Sequence, residues 1–187
     1  MSPGGGVYNY DTPLSTSEYQ KTNQRSMLHV AVERGYSAIA EMLLKKGARI
    51  SAQDDMGMTG LHLAARQGHD AIAKMLLEWH ADPNLVDLSG QSPLHCAVDE
   101  NHAQLVDVLL AGGADVNLRN AQGQTALHLA ADGGNSEILA RLLQQDLSCI
   151  ATRDHFGSTA MCLAIAKGHA ASVSVLLDHG EDPNSVM

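Results

Sequence analysis

Apolar and polar positions along this chain recur with a fixed step. Leu28-His29, Leu61-His62, Leu94-His95 and Leu127-His128 are 33 residues apart, and a fifth copy, Met161-Cys162, follows after 34. A second apolar landmark keeps the same step: Leu43-Leu44, Leu76-Leu77, Leu109-Leu110, Leu142-Leu143 and Leu176-Leu177. A third is Gly57, Gly90, Gly123 and Gly157, which places the one extra residue between Leu143 and Gly157, within 147–150. Periodicity of this length predicts stacked units, each burying its apolar side on its neighbours.

Each copy reads as a pair of helices. A Ser or Thr stands two residues before the landmark Leu or Met (Ser26, Thr59, Ser92, Thr125, Thr159), an N-cap whose hydroxyl serves an orphan backbone N–H. Pro93 falls at a first helical position, where its missing N–H costs nothing. Ala follows Leu three residues on (Leu61/Ala64, Leu94/Ala97, Leu127/Ala130), small enough for a neighbouring helix to approach. Gly35, Gly68, Gly134 and Gly168 end the first helix, with Asn101 once in their place; both residue types tolerate positive φ. A second helix carries one buried face, for example Ile72, Leu76 and Leu77. It ends at Gly47, Gly113 and Gly180 in a left-handed turn, where His80 and Asp146 are expected to sit under some strain. A polar turn with Gly at its tip leads onward.

Those residues carry a family resemblance. The run Thr59 to Ala65 (Thr-Gly-Leu-His-Leu-Ala-Ala), Gly68-His69, Leu76-Leu77, Ala81-Asp-Pro-Asn84 and Asp87-Leu-Ser-Gly90 resembles an ankyrin repeat. The resemblance covers about residues 23–187 in five copies, near 23–53, 54–86, 87–119, 120–153 and 154–187. It implies an all-α ankyrin-repeat solenoid of helix-turn-helix units with projecting β-hairpin-like turns. It also implies a protein-binding scaffold that uses the concave face made by turn tips and first helices. The end copies depart from the pattern. Gln24 stands where Gly57 does, so the first copy is expected to lack a proper turn. In the fifth, Cys162 replaces His, and Ser172 replaces Ile39, Ile72, Leu105 and Ile138, which fits a terminal unit with one solvent-facing side. Glu181-Asp-Pro-Asn184 reads like a junction to a further unit, so a natural end and a cut chain are both open. Residues 1–22 form an N-terminal extension with three of the four tyrosines (Tyr8, Tyr10, Tyr19). It reads first as a disordered tail, with a segment folded over the first copy and a phosphorylated tail as the alternatives.

Composition narrows the function. Twelve basic against 21 acidic residues give a net charge of −9, without the basic stripe a nucleic-acid binder needs. Aromatics are 3% of the chain, too few for a platform on which bases stack. No run of about 18 apolar residues suggests a membrane span, and the first six residues have no signal-peptide pattern. Three scattered cysteines, none in a CxxC pair, form neither a disulfide framework nor a zinc site, and point to a reducing compartment, cytosol or nucleus. The chain is expected to be a monomer.

Ten histidines invite a metal hypothesis. His29, His62, His95 and His128 line up along the stack, but packed helices lie about 10 Å apart and zinc needs its ligands at about 2 Å. In the family resembled, this His hydrogen-bonds the Ser or Thr hydroxyl and nearby backbone. His69, His102 and His169 recur at one further position, with the same reading. Asp99, Glu100 and Asp132 occupy matching first-helix positions, bracketed by Arg66 and Lys167. No nucleophile–base pair, phosphate loop or HExxH motif accompanies them, so no catalytic residue, metal ligand or cofactor is assigned. Apolar groups stand at the turns (Met56, Met58, Leu88, Phe156) beside Gln91 and Gln124; flexible Met suits an adaptable binding surface. Trp79 is expected to pack at the core edge. Asn117 follows Leu109 by eight residues, which resembles the context of asparagine hydroxylation in ankyrin repeats; a structural Asn bridging adjacent turns is the preferred reading.

The expected function is therefore non-catalytic binding of a protein or peptide with a basic segment. The site residues are Met56, Met58, Arg66, Leu88, Gln91, Asp99, Glu100, Gln124, Asp132, Phe156 and Lys167. The rival readings are a regulatory piece of a longer protein and, behind it, an enzyme using the acidic groove.

Overall fold

A computed structural model describes residues 25–182. The expectations for residues 1–22, for Gln24 and for the Pro183-Asn184 part of the junction lie outside the described residues. Ten helices, all short, make up the described chain: α1 (Met27–Glu33), α2 (Ser37–Lys45), α3 (Gly60–Gln67), α4 (Asp70–Glu78), α5 (Pro93–Asp99), α6 (Ala103–Ala111), α7 (Ala126–Asp132), α8 (Ser136–Gln145), α9 (Ala160–Lys167) and α10 (Ala170–Asp178). Helices this short are not stable alone. They persist because each packs on its own partner and on the next pair. First helices stack on first helices, α1 to α9, and second helices on second helices, α2 to α10.

The landmarks are the core of this stack. Leu28, Leu61, Leu94, Leu127 and Met161 are buried in the first-helix row, with Leu76, Leu109, Leu142 and Leu176 in the second. Each fully buried Leu contributes about 1.5–3 kcal/mol. Ala64, Ala97 and Ala130 have no exposed surface, so the methyl-sized residue sets how close the helix rows come. Ser26, Thr59, Ser92, Thr125 and Thr159 are all N-caps with extended backbone, and Pro93 opens α5. Trp79, expected at the core edge, is the C-cap of α4 and is exposed.

Two expectations fail locally, both toward the C-terminal end. His80 does adopt the left-handed turn, at φ 64°, but Asp146 does not: its φ is −156°, extended and unstrained. The reason lies in how the extra residue is absorbed. Helix α8 has 10 residues where α6 has 9, and Asp146 follows it directly, whereas Asp115 stands four residues past α6. The lost left-handed turn reappears as a longer link: Asn120 comes five residues after Asp115, but Asp154 eight after Asp146. Cys149 in that link is fully buried. Ser172, expected to face solvent, is fully buried and its hydroxyl has no hydrogen-bond partner. It sits on the side of α10 that packs against α8, not on the outer side. Glu181 is also buried, where the earlier pairs place Ala48, Ala81 and Ala114. Burial pushes its carboxyl above the usual carboxylate range, against the pull of the Thr159 hydroxyl.

Candidate binding face

The recurring histidines link one unit to the next. In His62 the Nδ1 atom accepts from the Thr59 backbone N–H at 3.1 Å and from the Thr59 hydroxyl at 2.8 Å. A carbonyl can only accept, so Nε2 carries the proton and donates to Gln91 O at 3.1 Å. His95 repeats this between Ser92 and Gln124, His128 between Thr125 and Ser158, and His29 between Ser26 and Met58. Each of these carbonyls belongs to the residue just before the next N-cap, and His29 Nε2 also lies 3.0 Å from Ala52 O. The imidazole thus takes the Glu or Gln place of a capping box and ties that cap to its neighbour. Burial pushes the pKa values of His62, His95 and His128 below the ordinary value, against the smaller opposing effect of their backbone hydrogen bonds. Cys162 ends the series, its thiol sulfur accepting from the Thr159 hydroxyl at 3.4 Å.

A carboxylate or amide shapes each turn tip. Asp54 Oδ1 accepts from the backbone N–H groups of Met56 and Met58, both at 2.9 Å. Asp87, Asn120 and Asp154 do the same for Ser89 and Gln91, Gln122 and Gln124, and Phe156 and Ser158. Neighbouring tips are joined by single backbone hydrogen bonds: Leu88 N–H to Met56 O, Ala121 N–H to Ser89 O and His155 N–H to Gln122 O. The tips therefore form one continuous edge of tight turns. Sequence reasoning missed the tip acceptors, although the chain carries their signal, Asp or Asn three residues before each tip glycine. At the other end of the loops Asn117 donates to Asp146 Oδ2 at 3.0 Å and accepts from the Ser148 hydroxyl at 3.2 Å, so it bridges adjacent turns.

Tips and first-helix ends together line two clefts. One, of about 280 Å³, is bounded by Arg25, Glu33, Asp54, Met56, Met58, Leu63, Arg66 and Gln67. The next, of about 200 Å³, is bounded by Met58, Arg66, Asp87, Gln91, Cys96, Asp99 and Glu100. Arg25 and Glu33 are paired at 2.8 Å, and that hydrogen bond holds the Glu33 carboxyl below the usual range. Arg66, Asp99 and Glu100 are exposed and have no ion-pair partner among the described residues. Burial raises the Asp99 pKa, and the Glu100 and Asp132 charges add to the rise. Lys167 reaches Asp132 at 3.6 Å.

Most of the expected residues are on this face. Met56 and Leu88 are exposed side by side, Leu88 at 76%, and Phe156 is exposed on a further tip. Met58 departs from the expectation: only 8% exposed, it forms the floor shared by the two clefts rather than part of an apolar bank. Gln91 and Gln124 are half-buried and partly engaged, Gln91 Oε1 accepting from the Cys96 thiol and Gln124 Oε1 from Asn120 Nδ2. Cys96 is a buried thiol whose pKa burial pushes up to about 12, so it is no nucleophile at neutral pH.

A stack of helix pairs joined cap to cap, with an edge of hydrogen-bonded tips, is a repeat scaffold. The family profile described as Ankyrin repeats (3 copies) matches residues 28–120 and again 94–187, and the chain belongs to the ankyrin-repeat family. Proteins built this way generally mediate protein–protein interaction. No curated protein matches the chain. Among the described residues no helix is long and apolar enough to cross a membrane.

Proposed function

We propose that this protein binds a partner protein or peptide, without catalysis, through the concave face of tips and first-helix ends. The observation that carries the reading is the second cleft, where Asp99 and Glu100 stand exposed with no ion-pair partner among the described residues. A partner segment with Arg or Lys at its centre would pair with Asp99, Glu100 and Asp132. An apolar side chain beside it would rest on Met56 and Leu88. The carboxylates would steer the encounter and set register, while the apolar anchor would supply most of the affinity. Gln91, Gln124, Phe156, Arg66 and Lys167 complete the surface. Three free, buried cysteines fit a reducing compartment, cytosol or nucleus. The net charge of −9 argues for a basic protein partner rather than nucleic acid.

The test compares two double charge reversals against a partner captured with the wild-type chain. Asp99→Lys with Asp132→Lys should weaken binding roughly tenfold or more, because like charges then face the basic segment. Glu78→Lys with Glu137→Lys, on the second helices, should leave it unchanged. The opposite pattern would move the function to the outer helices.

A further inference from the structure

The first and last described helix pairs carry the two halves of the stack's own internal interface. At the first end, Ile39 is 48% exposed, although the equivalent Ile72, Leu105 and Ile138 are buried against the preceding pair. Tyr36 and Met42 flank it, exposed as well. At the last end, Ile165 is 53% exposed, although the equivalent Val32, Ala65, Val98 and Ala131 are all buried under the following pair. The glycines show the same open half. Gly35, Gly68 and Gly134 each lie against the ring of His69, His102 or His169 from the next pair, and those rings donate to the carbonyls of Glu33, Arg66 and Asp132. Gly168, at the same position in the fifth pair, has the left-handed φ of 76°, but no described residue lies within 4 Å of a Cβ placed there. Tyr36 occupies the matching ring position in the first pair.

Charge is distributed to match. Residues 25–53 contain five basic and two acidic side chains, in a chain whose net charge is −9. Arg25 and Lys45 are paired with Glu33 and Glu41, so Arg34, Lys46 and Arg49 make the excess. Residues 154–182 contain four acidic side chains and one Lys; Asp154 and Glu181 are buried, and Asp178 and Asp182 are the exposed carboxylates. A basic apolar end and an acidic apolar end, already complementary in shape through the repeat, are partners for each other.

We propose that the first helix pair of one molecule docks on the fifth pair of a second copy, continuing the stack head to tail. Tyr36 then covers Gly168, Ile39 and Met42 cover the Ile165 side, and Arg34, Lys46 and Arg49 come near Asp178. This departs from the expectation of a monomer and is independent of the concave-face reading, since neither end face belongs to that groove. A head-to-tail contact does not close on itself, so the assemblies lengthen with concentration.

The measurement is analytical ultracentrifugation of the full chain, with Ile39→Glu, Ile165→Glu and an equimolar mixture of the two. Both substitutions fall on exposed side chains, so the helical circular dichroism should be retained. The wild-type average mass should rise with concentration, and each variant alone should stay at the one-chain mass. The mixture should recover a two-chain species, because each variant keeps one intact half. A wild-type chain that remains at the one-chain mass throughout overturns the proposal. So does a mixture that fails to pair, the result expected if residues 1–24 or another protein cover the first pair. Association lost in Ile39→Glu but kept in Ile165→Glu would indicate a symmetric head-to-head contact and overturn it equally.

Discussion

Two residue pairings show how finely the units are fitted. A Cβ added to Gly68 would lie 2.7 Å from the His102 ring, and one added to Gly134 equally close to His169. Where the chain has Asn101 instead, at φ 59°, the next pair presents the smaller Asn135 rather than His. Asn135→His should therefore cost about 1–3 kcal/mol by overpacking. Asn101→Gly in the same chain should recover most of the loss, a coupling read from urea melts in a double-mutant cycle. The second pairing is the buried histidine with the cap. His62, His95 and His128 have folded pKa values below the unfolded value of about 6.5. Their contribution is thus complete above that value and falls as pH drops below it, because the unfolded chain then binds more protons. The melting temperature should decline from neutral toward mildly acidic pH, and His95→Gln should flatten that slope. The Leu-His spacing made these roles legible in the sequence. The carbonyls that the rings reach were not, since they lie 29 or 30 residues away.

The helix is a dependent element here: seven to ten residues, stabilised by neighbours rather than by its own propensity. Ala97, without exposed surface between adjacent first helices, is the sharpest probe. Ala97→Leu should lower stability by about 1–3 kcal/mol, measured by chemical denaturation. An exposed site such as Glu78→Gln should change it by less than about 0.5 kcal/mol. Helix number, caps and buried faces were readable from the 33-residue step, because each is fixed by residue types close in sequence. The link after α8 was not. A net gain of one residue hides a lengthened helix, a lost left-handed turn and an extended Asp146, and only three-dimensional closure distinguishes these. Ser172 misled for a related reason: a polar residue in a terminal unit reads as solvent-facing, yet it lies where α10 packs against α8.

In the whole molecule, the tips and first-helix ends hold the acidic, partly apolar clefts, while the second helices form an outer surface crossed by ion pairs such as Arg141 with Asp107 and Glu137. The repeat step puts matching positions in register, so which residues stand together on the tips and first-helix ends was legible in the sequence; that they bind a partner is the proposal. Met58 was misjudged because its turn folds back so that its side chain is beneath the tip while its backbone N–H meets Asp54. A partner has two surfaces open to it, the tips with the first-helix ends or the second helices. Amide hydrogen exchange of the full chain, free and saturated with its captured partner, reads this directly. Slowed exchange should fall on 54–58, 87–91 and the C-terminal turns of α3, α5 and α7, with α4, α6 and α8 unchanged. Protection confined to α4, α6 and α8, with the tips unaffected, would contradict binding through the concave face.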